Sequence, residues 1–332
     1  MVLARHGTTR EISLLKWSQH VLLEGATRSF FGDALLDLEP NLFESFFQFD
    51  DSSWKLPYRI PSILARDVKK AQAITEKALA NYFDLPAERR SDASSLVHQV
   101  ELFMRASRIQ SNDIGVLVLM FYWVINANAW KSSFWMIAEI VNNETLRTSI
   151  LEEVEPHIAS VVERSISSTD FATQLQNCPN LVAVYHESLR VTSASTSVRI
   201  VTKEARVGPF QLRKGARMII PYRQMLLDED TYGAKADEFN YKRFINDPGL
   251  SRSPYYKPFG GGTSLCPGRA LAQKEILTFV ALAIGKFRAR RTCGANGKRD
   301  GVPRINTRTP CIGIMSPEEG HDVRVVITEP SP

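Results

Sequence analysis

The sequence predicts a mainly α-helical protein with a small β part, organised around one cysteine-containing loop. Apolar residues recur at helical spacing through most of residues 11–191. Alternating sequence broken by turn residues is confined to two later stretches, 197–222 and 303–328, where we expect strands and a final hairpin. Residues 258–269 combine three consecutive glycines with one cysteine, directly before good helix-forming sequence.

The helices are predicted from their apolar periodicity and from the breaks between them. In order they are 11–32, 37–49, 62–83, 91–107, 112–142, 144–160 and 181–191. Within the fifth, residues 114–130 carry no charge, and at seventeen residues they lie at the short limit for a membrane span. We interpret this stretch as a buried core helix, and a small membrane protein that spans the bilayer there is the alternative.

One polar residue stands in the apolar stripe of that long helix. Phe121, Val124, Asn128 and Trp135 fall at i, i+3, i+7 and i+14, which is one helix face. A buried asparagine without a partner costs about 1–3 kcal/mol, so Asn128 needs one. Either it bonds to neighbouring backbone, or it faces a cofactor or substrate as a catalytic side chain.

Composition narrows the function classes. The chain has 332 residues, 44% of them hydrophobic, which is enough for a substantial core. Its formal net charge of +5 is spread without Lys/Arg runs, which argues against nucleic acid as a partner. Four widely spaced cysteines without a C-x-x-C pair argue against a zinc site or a disulfide framework, and they favour a reducing compartment. The first residues do not resemble a signal peptide.

Cys266 is the candidate reactive group of the central loop. We expect Pro267 to take the first position of the following helix, because that position needs no N–H. A cysteine at a helix N-terminus is favoured as the thiolate by the helix dipole. Glycine backbone allows a flat ligand to approach closely. A thiolate presented to a flat ligand suits a haem iron.

The spacing of this loop resembles a known family signature. Phe259, Gly262, Cys266 and Gly268 match F-x-x-G-x-x-x-C-x-G, the haem-thiolate signature of the cytochrome P450 superfamily. Four fixed positions match by chance in about one in a thousand chains of this length. The resemblance implies one cytochrome P450 domain over residues 1–332, with Gly260 also in the haem-binding loop. It further implies haem b as cofactor, with Cys266 as the axial iron ligand.

Two further motifs resemble the same family. Glu187 and Arg190 form its E-x-x-R, and at i, i+3 they share a helix face. Arg243, in a stretch resembling the family's F-x-P-x-R-F, is expected to complete a structural network with them. Arg199 matches a position at which the family pairs an arginine with a haem propionate. Its alternative is an exposed strand arginine.

The resemblance also implies an activity, which is the hydroxylation or oxidation of a hydrophobic small molecule with O2. Residues 123–128 and 193–199 resemble the sterol 7-hydroxylase and prostacyclin synthase branch. The amino-acid sequence of the cysteine-containing loop instead resembles fungal members that tailor steroids, terpenoids or polyketides. The expected pocket is apolar. Its predicted lining residues are Phe121, Asn128, Ala129, Ser195 and Ile314.

Two other functions stay open. Most family members carry an acid–alcohol pair in the central helix, and this sequence has none there. A haem-thiolate isomerase or dehydratase of lipid peroxides, which needs neither O2 nor reductase, is therefore an alternative. The family domain is longer than this chain, and roughly its N-terminal third has no counterpart here. An inactive truncated remnant that holds no haem is the other alternative.

The expected partners also come from the resemblance. A separate NADPH-cytochrome reductase is expected to supply electrons, since no flavin or dinucleotide fingerprint is present. The family implies the cytosolic face of the endoplasmic reticulum membrane, with contact to a membrane surface left open. The sequence shows no N-terminal anchor, so a cytoplasmic location is also left open.

Overall fold

Helices make up most of the structure, a computed structural model that describes residues 8–292 and 301–328. The predicted class, mainly α with a small β part, is confirmed. The chain divides into two units, residues 15–130 and residues up to 14 together with 131 onward. The assignment of residues 1–332 to one cytochrome P450 domain stays a prediction.

The unit of residues 15–130 is helical. Its helices are α1 (Leu14–Phe31), α2 (Ala34–Leu38), α3 (Leu42–Ser52), α4 (Arg66–Asp84), α5 (Ser95–Ala106) and α6 (Ser111–Asn126). Helix α4 packs against α3 and α6. The crossing with α6 requires Gly115, because a Cβ there would lie 2.5 Å from the carbonyl oxygen of Glu76. The core is aromatic, and Tyr122 packs edge-to-face against Phe31 and Phe46.

The other unit carries the described strands and the remaining helices. The helices are α7 (Ala129–Asn142), α8 (Glu144–Val162), α9 (Ser168–Gln174), α10 (Pro179–Thr192), α11 (Tyr222–Leu226), α12 (Glu229–Tyr232), α13 (Lys242–Asn246) and α14 (Arg269–Ala281). The strands are β1 (Thr9–Ser13), β2 (Thr196–Ile200), β3 (Ala205–Val207), β4 (Phe210–Leu212), β5 (Arg217–Pro221), β6 (Arg290–Arg291) and β7 (Arg324–Thr328). They pair antiparallel as β1-β7-β6, β2-β5 and β3-β4.

Both ends of the described chain differ from the sequence prediction. The predicted helix 11–32 begins only at Leu14, because Thr9–Ser13 is extended and pairs with β7. The predicted hairpin over 303–328 is present only near its turn, because Arg324–Thr328 forms β7 and pairs with β1 and β6. Within 303–328 one isolated bridge, Ile305 to Pro317, joins the two predicted arms. Pairing between residues far apart in the sequence set the structure of both segments, and local periodicity cannot predict such pairing.

The long helix predicted over 112–142 is interrupted. Helix α6 ends at Asn126 and α7 begins at Ala129, so Asn128 lies in the break. The Nδ2 of Asn126 donates to the carbonyl oxygen of Tyr122 at 2.9 Å, a local bond through which asparagine competes with continued helix. The predicted stripe is therefore not one continuous helix face, and Val124 is exposed.

Ser111–Asn142 is the one stretch, within the described residues, that is long and apolar enough to cross a membrane, and half of its most apolar window is buried. Core helices of soluble proteins have the same length and composition. The interpretation as a buried core helix stays a prediction.

Candidate functional site

Cys266 lies in a tight loop that ends just before α14. Its backbone N–H donates to the carbonyl oxygen of Phe259 at 3.1 Å, which closes the loop. Gly260 and Gly262 have φ of +75° and +65°, conformations that side-chain-bearing residues rarely adopt. The Cys266 side chain is half-buried and takes part in no disulfide. The loop therefore carries one thiol, and its backbone conformation depends on glycine at two positions.

The start of the following helix differs by two residues from the prediction. Helix α14 begins at Arg269 with Gly268 as its N-cap residue, so Pro267 precedes the helix instead of taking its first position. A Cβ on Gly268 would lie 3.9 Å from the Cys266 Sγ, an ordinary contact. Arg269 reaches back, and its Nη1 donates to the carbonyl oxygen of Cys266 at 3.0 Å. Cys266 thus lies beside the helix N-terminus but outside the helix.

The segment that contains β2 holds this loop from one side. Arg199 is half-buried on β2, and its Nη2 donates to the Oγ of Ser264, two residues before the cysteine. The Ser195 Oγ lies 3.2 Å from the carbonyl oxygen of Lys257 and 3.1 Å from that of Pro258. Ser195, predicted to line the pocket, therefore also contacts the backbone that leads into the cysteine loop.

The structure brings Glu187, Arg190 and Arg243 together. Both carboxylate oxygens of Glu187 accept from Arg190, each at 2.8 Å, and both side chains are completely buried. Oε1 also accepts from the Arg243 Nη1 at 2.7 Å and from the Asn240 N–H at 2.7 Å. A buried carboxylate with four charge-assisted or backbone hydrogen bonds is fully compensated.

The two arginines extend this network into the chain between α11 and α13. Arg190 donates to the carbonyl oxygens of Leu226, at 2.7 Å, and of Ala236. Arg243 donates to those of Tyr232 and Lys235, at 2.8 Å and 2.9 Å. The network therefore ties α10 to the irregular segment that precedes the cysteine loop. This is the geometry that a structural role requires.

Two titratable side chains beside the network have shifted pKa values. Burial, and secondarily the negative charge of Glu187, raises the pKa of Glu139 on α7 to about 8. Burial lowers the pKa of His186, which stacks on Phe244, to about 4. Glu139 also lines a polar cleft of about 570 Å³. The predicted pocket residues do not line this cleft, so it is distinct from the expected substrate pocket.

The five predicted pocket residues belong to both units. Phe121 packs edge-to-face on Phe30 in the core of residues 15–130, and Ala129 is buried at the start of α7. Ile314, in the other unit, is buried and forms a bridge with Ser193. A common pocket formed by Phe121, Asn128, Ala129, Ser195 and Ile314 stays a prediction.

Sequence reasoning missed two features near the site. The Tyr222 hydroxyl donates to Ser197 at 3.0 Å, and its ring lies 3.8 Å from where a Cβ on Gly260 would stand. Ser132 and Ser133 are buried at the start of α7, and the Ser133 hydroxyl has no hydrogen-bond partner. The sequence does hint at the two serines, because they form a polar run directly after an apolar helix. No local pattern pointed to Tyr222.

The residues present fit the haem that the sequence resemblance implies. An unbridged thiol is the soft donor that a haem iron accepts, and Cys266 supplies it from a glycine-containing loop. A Cβ at Gly262 would meet no atom within 4 Å, so the loop leaves open space there. Arg199 is bonded to the same loop through Ser264, so a guanidinium, the side-chain group that pairs best with a carboxylate, lies beside the loop. Its pairing with a carboxylate of the cofactor stays a prediction.

Comparisons with known proteins agree with this site. The family model described as Cytochrome P450 matches residues 14–301. A rabbit (Oryctolagus cuniculus) 7-alpha-hydroxycholest-4-en-3-one 12-alpha-hydroxylase is 30% identical over 62% of this chain and 43% of its own length. The cytochrome P450 monooxygenase efuG of Hormonema carpetanum is 25% identical over 80% of this chain and 56% of its own. Rat (Rattus norvegicus) cytochrome P450 7A1 is 25% identical over 74% of this chain and 52% of its own length.

The fold agrees as well. The structure of retinoic acid bound cyanobacterial CYP120A1 matches 97% of this chain and 70% of that one, with a TM-score of 0.70 and 19% identity. The chain spans about half the length of the curated relatives it matches. The family model covers most of the chain, and its match includes Cys266 and the Glu187–Arg190–Arg243 network. The family resemblance is thus confirmed, and the chain belongs to the cytochrome P450 family.

Proposed function

We propose that this chain acts as a haem-thiolate monooxygenase that oxidises a hydrophobic small molecule. The observation that carries the proposal is the unbridged Cys266 thiol on a closed glycine loop, in a chain of the cytochrome P450 family. Bound haem would supply the oxygen activation and C–H oxidation, for which thiolate donation favours O–O cleavage. The chain supplies the ligand, the anchoring and the pocket.

Each group of residues has a proposed role in holding that cofactor. Cys266 binds the iron, and Phe259, Gly260, Gly262 and Gly268 give its loop the required shape. Arg199 pairs with a carboxylate of the haem. Glu187, Arg190 and Arg243 keep the segment before the loop in one conformation, because each hydrogen bond of the network restricts it. Asn128, at the break between α6 and α7, is the proposed catalytic side chain.

The substrate class is proposed from the relatives. Three of them, from rabbit, human and pig, are named for 12-alpha-hydroxylation of a cholestane or cholestenone, and others are fungal monooxygenases. We therefore propose a steroid, terpenoid or polyketide as substrate, with Phe121, Ala129, Ser195 and Ile314 in the pocket. NADPH-cytochrome reductase is the proposed electron donor, and the cytosolic face of the endoplasmic reticulum is the proposed location.

A haem-thiolate isomerase or dehydratase of lipid peroxides is the second candidate. The observation that favours it is the helix break at Ala127 and Asn128, where no acid–alcohol pair is present. Oxygen consumption separates the two functions. The monooxygenase requires reductase, NADPH and O2 for turnover, whereas the isomerase converts a lipid hydroperoxide without any of them.

The carbon monoxide difference spectrum of the reduced, haem-loaded chain tests the proposal. We expect a strongly red-shifted Soret band, because Cys266 would hold the haem iron as a thiolate. Cys266→Ser should abolish that band. Cys311→Ser is the matched control, since Cys311 is another half-buried cysteine outside a disulfide, and it should leave the band in place. A wild-type chain without the band would refute haem-thiolate function for this chain and favour the inactive remnant.

A further inference from the structure

The polar cleft of about 570 Å³ lies within the unit that carries the strands. One side of it is formed by the end of α7 and the start of α8, and the other by the chain that leads into α13. The lining residues are Glu139, Asn142, Asn143, Glu144 and Leu146 on the first side and Phe239, Asn240, Tyr241 and Lys242 on the second. Pockets that hold small molecules have volumes of about 300–1,000 Å³, so this cleft is large enough for one.

The acid of interest in this cleft is Glu139, on α7. Among residues 8–292 and 301–328, none forms a hydrogen bond or an ion pair with its carboxyl group. The charge that acts on it is that of Glu187 on α10, which is also negative and already pairs with Arg190 and Arg243. Burial and this like charge raise the pKa of Glu139 to about 8. Its carboxyl is therefore mostly neutral at pH 7, because the charged form lacks a donor.

Glu187 shows which partner satisfies a carboxylate in this part of the fold. The Arg190 guanidinium donates to both of its oxygens, each at 2.8 Å. No arginine of the described chain does the same for Glu139, but the cleft beside it has the volume for a ligand that does. A planar guanidinium also stacks on aromatic rings, and Phe239 and Tyr241 line the same cleft. The cleft thus combines the two kinds of side chain that bind a guanidinium group.

The charges around the cleft favour a cation over an anion. Its lining contains two acids, Glu139 and Glu144, and one base, Lys242. Glu144 and Lys242 are exposed, so solvent weakens their effect on a ligand, and Glu144 already pairs with Arg147. Glu139 is the charge that solvent screens least, and Glu187, which acts on it from α10, is negative as well. A positive ligand is therefore attracted to the place where a negative one is repelled.

We propose that this cleft binds a small organic cation that carries a guanidinium group, which donates to both oxygens of the Glu139 carboxylate and stacks on Phe239 or Tyr241. Binding releases the proton of Glu139 to the solvent and breaks no other covalent bond. The lining contains no residue of 258–269, so this site goes beyond the proposed function and does not depend on it. Asn240 lines the cleft and donates its N–H to Glu187 at 2.7 Å, so the bound cation would lie next to the network that precedes the cysteine loop.

Isothermal titration calorimetry of the full, haem-loaded chain with butylguanidinium chloride tests the proposal. Butylurea is the matched ligand, because it has nearly the same shape but no charge. We expect butylurea to bind at least about ten-fold more weakly, since charge-assisted hydrogen bonds are roughly twice as strong as neutral ones. The Soret band should stay in place on binding, and a shift would place the ligand on the iron and overturn the proposal. Cys266→Ser should still bind butylguanidinium, so failure of this site and failure of haem ligation are distinguishable.

The pH dependence of binding identifies Glu139 as the group that holds the ligand. Butylguanidinium stays charged between pH 6 and pH 8, whereas the proton on Glu139 competes with it below pH 8. The affinity should therefore rise about fifty-fold from pH 6 to pH 8. At pH 7 about one proton should be released for each ligand bound, and titrations in buffers of different ionisation enthalpy measure this number.

Glu139→Gln keeps the size of the side chain and removes its charge. It should weaken binding about ten-fold at pH 8 and abolish the proton release. Glu229→Gln removes an exposed carboxylate on α12 and should bind as the wild type does. Thermal unfolding checks that both variants remain folded. No binding of butylguanidinium by the wild type, equal binding of butylurea, unchanged binding by Glu139→Gln or an affinity that falls as pH rises would each overturn the proposal.

Discussion

Glu187 and Arg190 meet on one face of α10 through two parallel hydrogen bonds, Nε to Oε2 and Nη2 to Oε1, each 2.8 Å long. Neither side chain is exposed to solvent. Charges buried this deeply are stable only when every donor and acceptor finds a partner. Arg243, arriving from α13, and the Asn240 N–H complete the set. The Glu187–Arg190 pair therefore connects α10 to Asn240 and to α13, which are distant from it in the sequence.

Glu187→Ala should destabilise the fold by about 3–5 kcal/mol, because it leaves two arginines buried without their counter-ion. Urea unfolding of the chain measures this change. Glu238→Ala is the matched control, since Glu238 pairs with Lys235 at the same i, i+3 spacing but both side chains are exposed. We expect the control to cost less than about 1 kcal/mol. Similar losses for the two variants would contradict a buried, compensated network.

Gly260→Ala should destabilise the cysteine loop by about 1–2 kcal/mol, since a Cβ is disfavoured at φ of +75°. The loss should show in urea unfolding and in lower haem retention on gel filtration. Gly261→Ala provides the control, because Gly261 is extended, with φ of −164°, and a Cβ there makes ordinary contacts. If Gly260→Ala changed neither the free energy of unfolding nor haem retention, the loop would not require this conformation.

Ser195→Ala should loosen the attachment of the cysteine loop. The hydroxyl lies within hydrogen-bond distance of the carbonyl oxygens of Lys257 and Pro258, and a hydrogen bond of this kind contributes about 1 kcal/mol. We expect a lower midpoint of urea unfolding and faster loss of haem. In Ser251→Ala the hydroxyl removed bonds only three residues away, to Pro248, so haem retention should not change. Equal retention in both variants would argue against anchoring by Ser195.

Glu139 should make stability fall as pH rises. Its pKa lies near 8 in the folded chain, above its ordinary value of 4.5, because burial and Glu187 disfavour the carboxylate. Between these values the folded chain binds more protons than the unfolded chain, so the free energy of unfolding decreases by up to about 1.4 kcal/mol per pH unit. Glu139→Gln should therefore stabilise the chain more at pH 8 than at pH 5, relative to wild type.

Urea unfolding at several pH values between 5 and 8 measures this difference. Glu275, whose pKa burial raises to about 7, contributes a fall in the same direction that remains in the variant. Glu229→Gln, which removes an exposed carboxylate, controls for the loss of charge and should show no comparable gain at pH 8. An equal effect of Glu139→Gln at all pH values would contradict the assigned shift.

The cysteine loop and the E-x-x-R pair could be identified from the sequence because each lies within a short window. Residue identity and spacing place Glu187 next to Arg190 on any helix, and the glycine positions around Cys266 restrict the loop backbone wherever it lies. The helical class was readable for the same reason, since apolar periodicity is local. The helix break at Asn128 could not be predicted, because the apolar periodicity of the sequence continues across it.

Contacts between distant segments were decided only by the tertiary structure. Arg243 reaches Glu187 across 56 residues, and Ser195 reaches Pro258 across 63. Strand β1 pairs with β7, and this pairing replaces one end of a predicted helix and the last residues of a predicted hairpin. Such contacts depend on how complementary surfaces meet after the elements have formed, and a hydrophobic pattern carries no information about the identity of the partner. The sequence by itself therefore determined the candidate ligand and the family, whereas the tertiary structure decided what holds the ligand loop in place.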